Sequence, residues 1–111
     1  MNLLGLFAAL SGAVAVLAGA FGAHWADERA AMLFRTGSQY QLAHALAALL
    51  AIQLGARGPA WLFVAGSALF AGSLYALAEG APGRVFGPVT PLGGLLMIVG
   101  WLWLAGALAR G

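Results

Sequence analysis

Residues 3–23 form an apolar run that contains no charged side chain. At about 1.5 Å per residue, a helix of this length crosses a hydrocarbon core of about 30 Å. Three more apolar segments follow, at about residues 37–54, 60–78 and 91–109. Four spans with short connections predict an all-α fold, an integral membrane four-helix up-and-down bundle. Residues 1–111 are expected to form a single transmembrane domain.

The composition agrees with a bilayer as the solvent. Of the 111 residues, 63% are hydrophobic and 7% are charged, whereas a soluble domain has roughly a quarter of its residues charged. The basic residues are isolated arginines that form no basic patch, so we expect no nucleic-acid binding. Without cysteine, the chain has neither disulfides nor thiolate metal ligands. The predicted partner is the lipid bilayer.

The first apolar run has one alternative interpretation, a cleaved signal peptide with residues 18–20, Ala-Gly-Ala, as the cleavage site. Signal peptides begin with a positively charged segment. Only Met1 and Asn2 precede the run, and neither is basic. The transmembrane interpretation is therefore favoured.

The segments between the spans carry most of the charge and the helix-breaking residues. Residues 25–35 combine charged side chains with apolar ones at near-helical spacing, which is typical of an interfacial helix in the headgroup layer. Gly and Pro between residues 55 and 59 indicate the next turn. Thr90 and Pro91 predict the N-cap and the first helical position of the last span.

Small residues predict how the spans pack. They recur every seventh residue in three of the four spans, which keeps them on one side of a left-handed bundle. In lipid, close backbone approach at small residues is a main source of helix association. The predicted packing residues are Gly5, Gly12, Gly19, Gly66, Ser73, Gly93 and Gly100.

The second predicted span holds the densest group of polar side chains, in residues 36–46, TGSQYQLAHAL. On a helix, residues three and four apart share a face. Tyr40 and His44 therefore line up, with Gly37 and Gln41 on the same stripe. Polar groups at this depth need hydrogen-bonding partners.

Threading the four spans concentrates polar side chains in one half of the bundle: His24, Gln39, Tyr40, His44, Tyr75, Glu79 and Thr90. One interpretation is a polar cavity for a metal ion, a proton or a polar ligand, because ionisable groups inside a membrane are often functional. The other is that these side chains hydrogen-bond across helices and hold the bundle together. His24 and His44 are weak metal-ligand candidates, since two histidines are few for a metal site.

No catalytic residues are predicted. The chain has no Gly-x-Ser-x-Gly motif and no assembled acid, base and nucleophile, so we expect a protein that is not an enzyme and has no cofactor. The leading hypothesis is a structural or assembly role through contacts with a second copy or another membrane protein. The alternative is binding or transport of a small solute, a proton or a metal ion through the polar half of the bundle.

Four runs of residues resemble a known family. They are residues 19–24, GAFGAH, residues 36–41 with 44–46, TGSQYQ and HAL, residues 70–77, FAGSLYAL, and residues 90–94 with 100–101, TPLGG and GW. In this order they are similar to the YgdD-like family of small four-span membrane proteins, a domain of unknown function with eukaryotic transmembrane relatives. The resemblance covers almost the full chain. It implies an inner (plasma) membrane protein with cytoplasmic N- and C-termini, an orientation that the arginine distribution alone does not decide. It implies no known activity.

Overall fold

A computed structural model describes all 111 residues, and its only regular elements are helices. Four are long and one is a single turn. They are α1 (Leu3–Trp25), α2 (Glu28–Gln53), α3 (Arg57–Ala78), α4 (Gly83–Phe86) and α5 (Val89–Arg110). The predicted all-α class and the four-helix bundle are confirmed.

Local sequence signals set where the long helices begin and end. The Asn2 and Asp27 side chains accept hydrogen bonds from the first turns of α1 and α2, at 2.9 and 2.8 Å. Gly55 and Gly80 follow the last residues of α2 and α3 with φ of +79° and +94°. Both sites have the paired hydrogen bonds of a Schellman motif, which requires a left-handed residue. Gly55 and Gly80 therefore form tight turns at the two ends of α3.

The helices pack mainly with their neighbours in the chain. α2 lies between α1 and α3, α3 lies between α2 and α5, and α1 makes only a small contact with α3. α2 and α3 are thus the central pair, and α1 and α5 flank them. The molecule measures 46 × 26 × 21 Å, and its long axis matches a bilayer of about 40–45 Å including headgroups.

Packed apolar side chains occupy one end of the bundle, where all four long helices contribute. This cluster is formed by Leu4, Ala8, Ala47, Ala48, Ala51, Ala60, Phe63 and Leu104. Many large apolar side chains point outward instead, for example Leu17 and Leu102, which are 70% and 68% exposed. Large exposed apolar surfaces are rare on soluble proteins and are typical of a lipid-facing surface. The chain is a membrane bundle.

Three of the helical segments are long and apolar enough to cross a membrane: Leu3–Trp25, Arg57–Ala78 and Gly83–Arg110. α2 is not among them, because polar residues such as Gln39, Gln41 and His44 lower its hydropathy. Its position between α1 and α3 shields part of this polar surface from lipid.

The structure differs from the sequence predictions in two places. Residues 25–35 do not form a separate helix, since α2 runs without a break from Glu28 to Gln53. Thr90 is not an N-cap, because α5 already begins at Val89, with Pro88 before it and no capping side chain. Pro91 then lies within the first turn, where its missing N–H leaves no helical hydrogen bond unmade.

Candidate functional site

The amide of Gln41 joins three helices inside the bundle. The Tyr75 hydroxyl of α3 donates to Gln41 Oε1 at 2.8 Å, and Gln41 Nε2 donates to Ser11 Oγ of α1 at 3.1 Å. Gln41 is 5% exposed. Both ends of the amide are therefore paired, as a buried amide in lipid requires.

The imidazole of His44 joins α2 to α5. Trp101 Nε1 lies 2.9 Å from His44 Nε2, and His44 Nδ1 lies 2.8 Å from the Tyr40 carbonyl oxygen. An indole N–H only donates and a carbonyl oxygen only accepts. The neutral tautomer with its proton on Nδ1 satisfies both contacts, so neither nitrogen of His44 is left for a ligand.

Aromatic rings surround the His44 imidazole. Tyr40 stacks on His44 with an interplanar angle of 11°, while Phe63 and Trp101 meet the imidazole edge-on at 5.6 and 5.8 Å between ring centres. A cavity of about 310 Å³ lies beside them and is lined mainly by apolar side chains, including Phe70 and Met97. The predicted face of Tyr40 and His44 is thus present, in largely apolar surroundings.

A pair of hydroxyl groups joins α3 to α5. Ser73 Oγ donates to the Phe70 carbonyl oxygen at 2.8 Å and also pairs with Thr90 Oγ1. Because the Ser73 proton is directed to the carbonyl, the Thr90 hydroxyl is the donor between the two hydroxyls. We call these three groups of hydrogen bonds the polar ties. They are centred on Gln41, His44 and Ser73, and join Ser11–Gln41–Tyr75, Tyr40–His44–Trp101 and Phe70–Ser73–Thr90.

The polar ties leave no buried side-chain nitrogen or oxygen without a hydrogen-bond partner. Three of the predicted cluster residues take part in them through their side chains, namely His44, Tyr75 and Thr90, and Tyr40 takes part through its carbonyl oxygen. Their arrangement supports the interpretation that polar side chains hold the helices together. It gives less support to a hydrated solute site at the same positions.

The remaining predicted residues lie outside the polar ties. His24, Gln39 and Glu79 are exposed, and the His24 ring contacts only that of Trp25 among the aromatic residues. No group of three His, Asp or Glu side chains comes together in a geometry that could hold a metal ion. The structure therefore divides the predicted cluster into buried ties and separate surface positions.

A smaller and more polar cavity lies between α1 and α2. It measures about 130 Å³, and its lining includes Arg35, Ser38 and Gln39 from α2 with Gly19 and Gly22 from α1. We call it the Arg35 pocket. Ser38 Oγ donates to the Arg35 carbonyl oxygen at 3.1 Å.

The predicted packing glycines fall into two groups. Gly66 and Gly93 face each other across α3 and α5, where a Cβ on Gly93 would lie 2.6 Å from the Gly66 carbonyl oxygen. A Cβ on Gly100 would lie 2.8 Å from the Phe63 ring.

The other group is loosely packed. A Cβ on Gly12 would make only an ordinary 3.8 Å contact, and one on Gly5 would meet only the Asn2 cap.

Gly19 is intermediate between these two groups. A Cβ there would lie 3.3 Å from Ser38 Oγ, so the nearest atom is a side chain and not the backbone of a neighbouring helix. Ser73, the one packing candidate that is not glycine, is buried and forms the tie with Thr90.

Four residues whose side chains form the polar ties were absent from the predicted cluster: Ser11, Gln41 and Trp101, together with Ser73, which was predicted only as a packing residue. Gln41 lies on the predicted polar stripe, and Ser11 lies about as far before the α1–α2 turn as Gln41 lies after it. An antiparallel hairpin would therefore have paired them from sequence. Trp101 has no comparable signal, because the rotation of α5 relative to α2 is set by tertiary packing.

Comparison with known proteins gives a consistent result. The family described as "Protein of unknown function (DUF423)" matches residues 18–94. The chain belongs to the DUF423 family. The predicted resemblance is thereby confirmed, and residues 18–94 hold most of the polar ties together with the Arg35 pocket.

Several curated DUF423 relatives match nearly the full chain. The UPF0382 inner membrane protein YgdD of Escherichia coli is 39% identical over 93% of this chain and 87% of its own length. The UPF0382 membrane protein YwdK of Bacillus subtilis is 34% identical over 99% of this chain and 98% of its own length. A Staphylococcus saprophyticus relative is 36% identical, with 94% of each chain covered. No solved structure matches this DUF423 chain. It is a membrane protein of a family whose function is unknown.

Proposed function

We propose that this DUF423 protein is a non-enzymatic, multi-pass protein of the inner (plasma) membrane that acts as an assembly module. Its four long helices cross the bilayer, and both termini lie in the cytoplasm. It associates with a second copy of itself or with another membrane protein. The inner-membrane designation of the Escherichia coli relative supports the location.

The observation that carries this proposal is the closed set of polar ties. Every buried side-chain polar atom has a partner within the chain. The ties include Gln41 with Tyr75 and Ser11, and His44 with Trp101. A bundle whose interior polar groups are all engaged is suited to hold a fixed shape and to present outer surfaces. A transport path needs unengaged polar groups along a cavity, so solute or proton transport receives less support.

The outer face of α3 offers a surface for close helix contact. Ala68 and Gly72 are exposed and four residues apart, and a Cβ on Gly72 would have no atom within 4 Å. Small residues at this spacing allow two membrane helices to approach closely. The glycines at the α3–α5 contact are already used within the chain, so this outer face is the better candidate for association.

A substitution on this face tests the proposal. In Gly72→Leu the added side chain would hold a second helix away, and we expect the crosslinked dimer fraction in native membranes to fall at least severalfold. Ala13→Leu is the matched control, because Ala13 is also exposed but lies on α1. Chemical crosslinking in membranes and light scattering in detergent measure the oligomeric state.

A wild-type protein that is monomeric in both membranes and detergent would refute self-assembly. Equal dimer fractions in Gly72→Leu and Ala13→Leu would show that the α3 face is not the contact. If both variants unfold at the same temperature as the wild type, a loss of dimer results from the changed α3 surface and not from a destabilised fold.

A further inference from the structure

Arg35 lies in the amino-terminal third of α2. It lines the Arg35 pocket opposite Gly19 and Gly22 of α1. These glycines precede Trp25 by six and three residues, which is about 5–9 Å along a helix. Trp at the end of a span is typical of the membrane interface. The pocket therefore lies where the headgroup layer meets the hydrocarbon core.

Two polar groups of the Arg35 pocket, the Arg35 guanidinium and the Gln39 amide, have no hydrogen-bonding partner within the chain. None of the side-chain hydrogen bonds uses the Arg35 guanidinium or the Gln39 amide. No Asp or Glu lines the pocket. A cation at the edge of the hydrocarbon without an acidic neighbour is stabilised by reaching water or an anion.

We propose that the Arg35 pocket binds a phosphate-type oxyanion. The guanidinium offers several N–H donors in a planar fork that fits two phosphate oxygens. The Gln39 amide lies on the same lining and provides a further N–H donor. At about 130 Å³ the pocket has roughly the volume of four water molecules, which accommodates a tetrahedral anion.

The surface below the pocket is suited to the phosphate of an anionic phospholipid. Leu42 lies three residues after Gln39, and Leu46 lies four residues after Leu42. Their side chains are 40% and 60% exposed. With Leu49 they form an apolar strip that leads from the pocket into the hydrocarbon, where an acyl chain would lie. Inorganic phosphate offers the same oxygens without an acyl chain, and the experiment distinguishes a lipid headgroup from free phosphate.

The test uses the purified full chain in detergent, with variants matched in charge. Native mass spectrometry measures retention of dioleoyl phosphatidylglycerol and of dioleoyl phosphatidylcholine, and calorimetry measures binding of inorganic phosphate. Arg35→Gln removes the proposed anion contact, and Arg84→Gln removes an exposed arginine that does not line the pocket. Gln39→Leu removes the amide and leaves the net charge unchanged.

We expect phosphatidylglycerol affinity to fall about tenfold or more in Arg35→Gln, as for loss of a charged hydrogen bond, and about threefold in Gln39→Leu. Arg84→Gln should bind as the wild type does. Inorganic phosphate binding with the same dependence on Arg35 would support the anion site with a free ligand as its source. Equal lipid affinity in Arg35→Gln and Arg84→Gln, without phosphate binding, would overturn the proposal. So would a loss in Arg35→Gln that Gln39→Leu does not share, because it would indicate surface charge alone.

Discussion

The α3–α5 contact and the α1–α2 hairpin use the same kind of residue with different results. Glycine faces glycine between α3 and α5, so the two backbones meet at Gly66 and Gly93. Between α1 and α2, Gly19 faces the side chain of Ser38, and the space beside it becomes the Arg35 pocket. The α3–α5 contact is therefore closely packed at these glycines, whereas the α1–α2 contact encloses a cavity.

The facing residue on the opposite helix thus determines how closely that helix approaches a glycine. A seven-residue spacing brings small residues to one side of a helix. Where the neighbour is equally small, as at Gly66 and Gly93, the two backbones meet. Where the neighbour carries Arg35 and Gln39, the same spacing leaves room for polar groups.

Gly93→Ala should have the largest effect. Its Cβ would lie 2.6 Å from the Gly66 carbonyl oxygen and 2.9 Å from Phe70 Cα, so the two helices must separate. Overpacking of this kind lowers the free energy of unfolding by about 1–3 kcal/mol or more. Thermal unfolding in detergent, followed by circular dichroism, measures it. Gly72→Ala is the control, and an equal loss of stability there would contradict the proposed close contact at Gly93.

Gln41→Leu should have an intermediate effect. It removes two interhelical hydrogen bonds and leaves the Tyr75 hydroxyl without its acceptor. We expect a loss of about 1–2 kcal/mol, and of about 0.6 kcal/mol for Ser11→Ala, which removes one bond. Unfolding by sodium dodecyl sulfate in mixed micelles ranks the variants. A larger loss in Ser11→Ala than in Gln41→Leu would refute the central role of the amide.

Gly19→Ala should have the smallest effect on stability. The added methyl group would lie 3.3 Å from Ser38 Oγ, and a serine side chain can shift slightly. We expect the free energy of unfolding to change by less than about 0.5 kcal/mol. The same unfolding assay applies, with Gly93→Ala alongside. A loss as large as that of Gly93→Ala would indicate that the hairpin is sealed as tightly as the α3–α5 contact.

The helices of this protein could be predicted from sequence because long apolar runs and glycine turns specify them directly. The break expected before residue 37 does not exist, since a change from charged to apolar composition does not interrupt a helix. Neither proline nor a left-handed glycine occurs between Glu28 and Gln53. Thr90 resembled an N-cap by type, but its hydroxyl pairs with Ser73 because the helix starts earlier.

The candidate site could be predicted only in part. Tyr40 and His44 share a helix face, so their stacking follows from local spacing alone. The bond between His44 and Trp101 joins residues far apart in the chain and depends on how α5 is rotated. The Arg35 pocket depends on the space between two helices, which a one-dimensional pattern does not specify.

The unbroken course of α2 has a mechanical consequence. Its 26 residues span about 39 Å, more than the hydrocarbon thickness of about 30 Å. The helix is therefore expected to move as one rigid body, with Arg35 in its amino-terminal part and His44 nearer its middle. A force on the amino-terminal arm, such as a change in bilayer thickness or headgroup packing, would tilt the whole rod and reach the His44–Trp101 contact without any hinge between them.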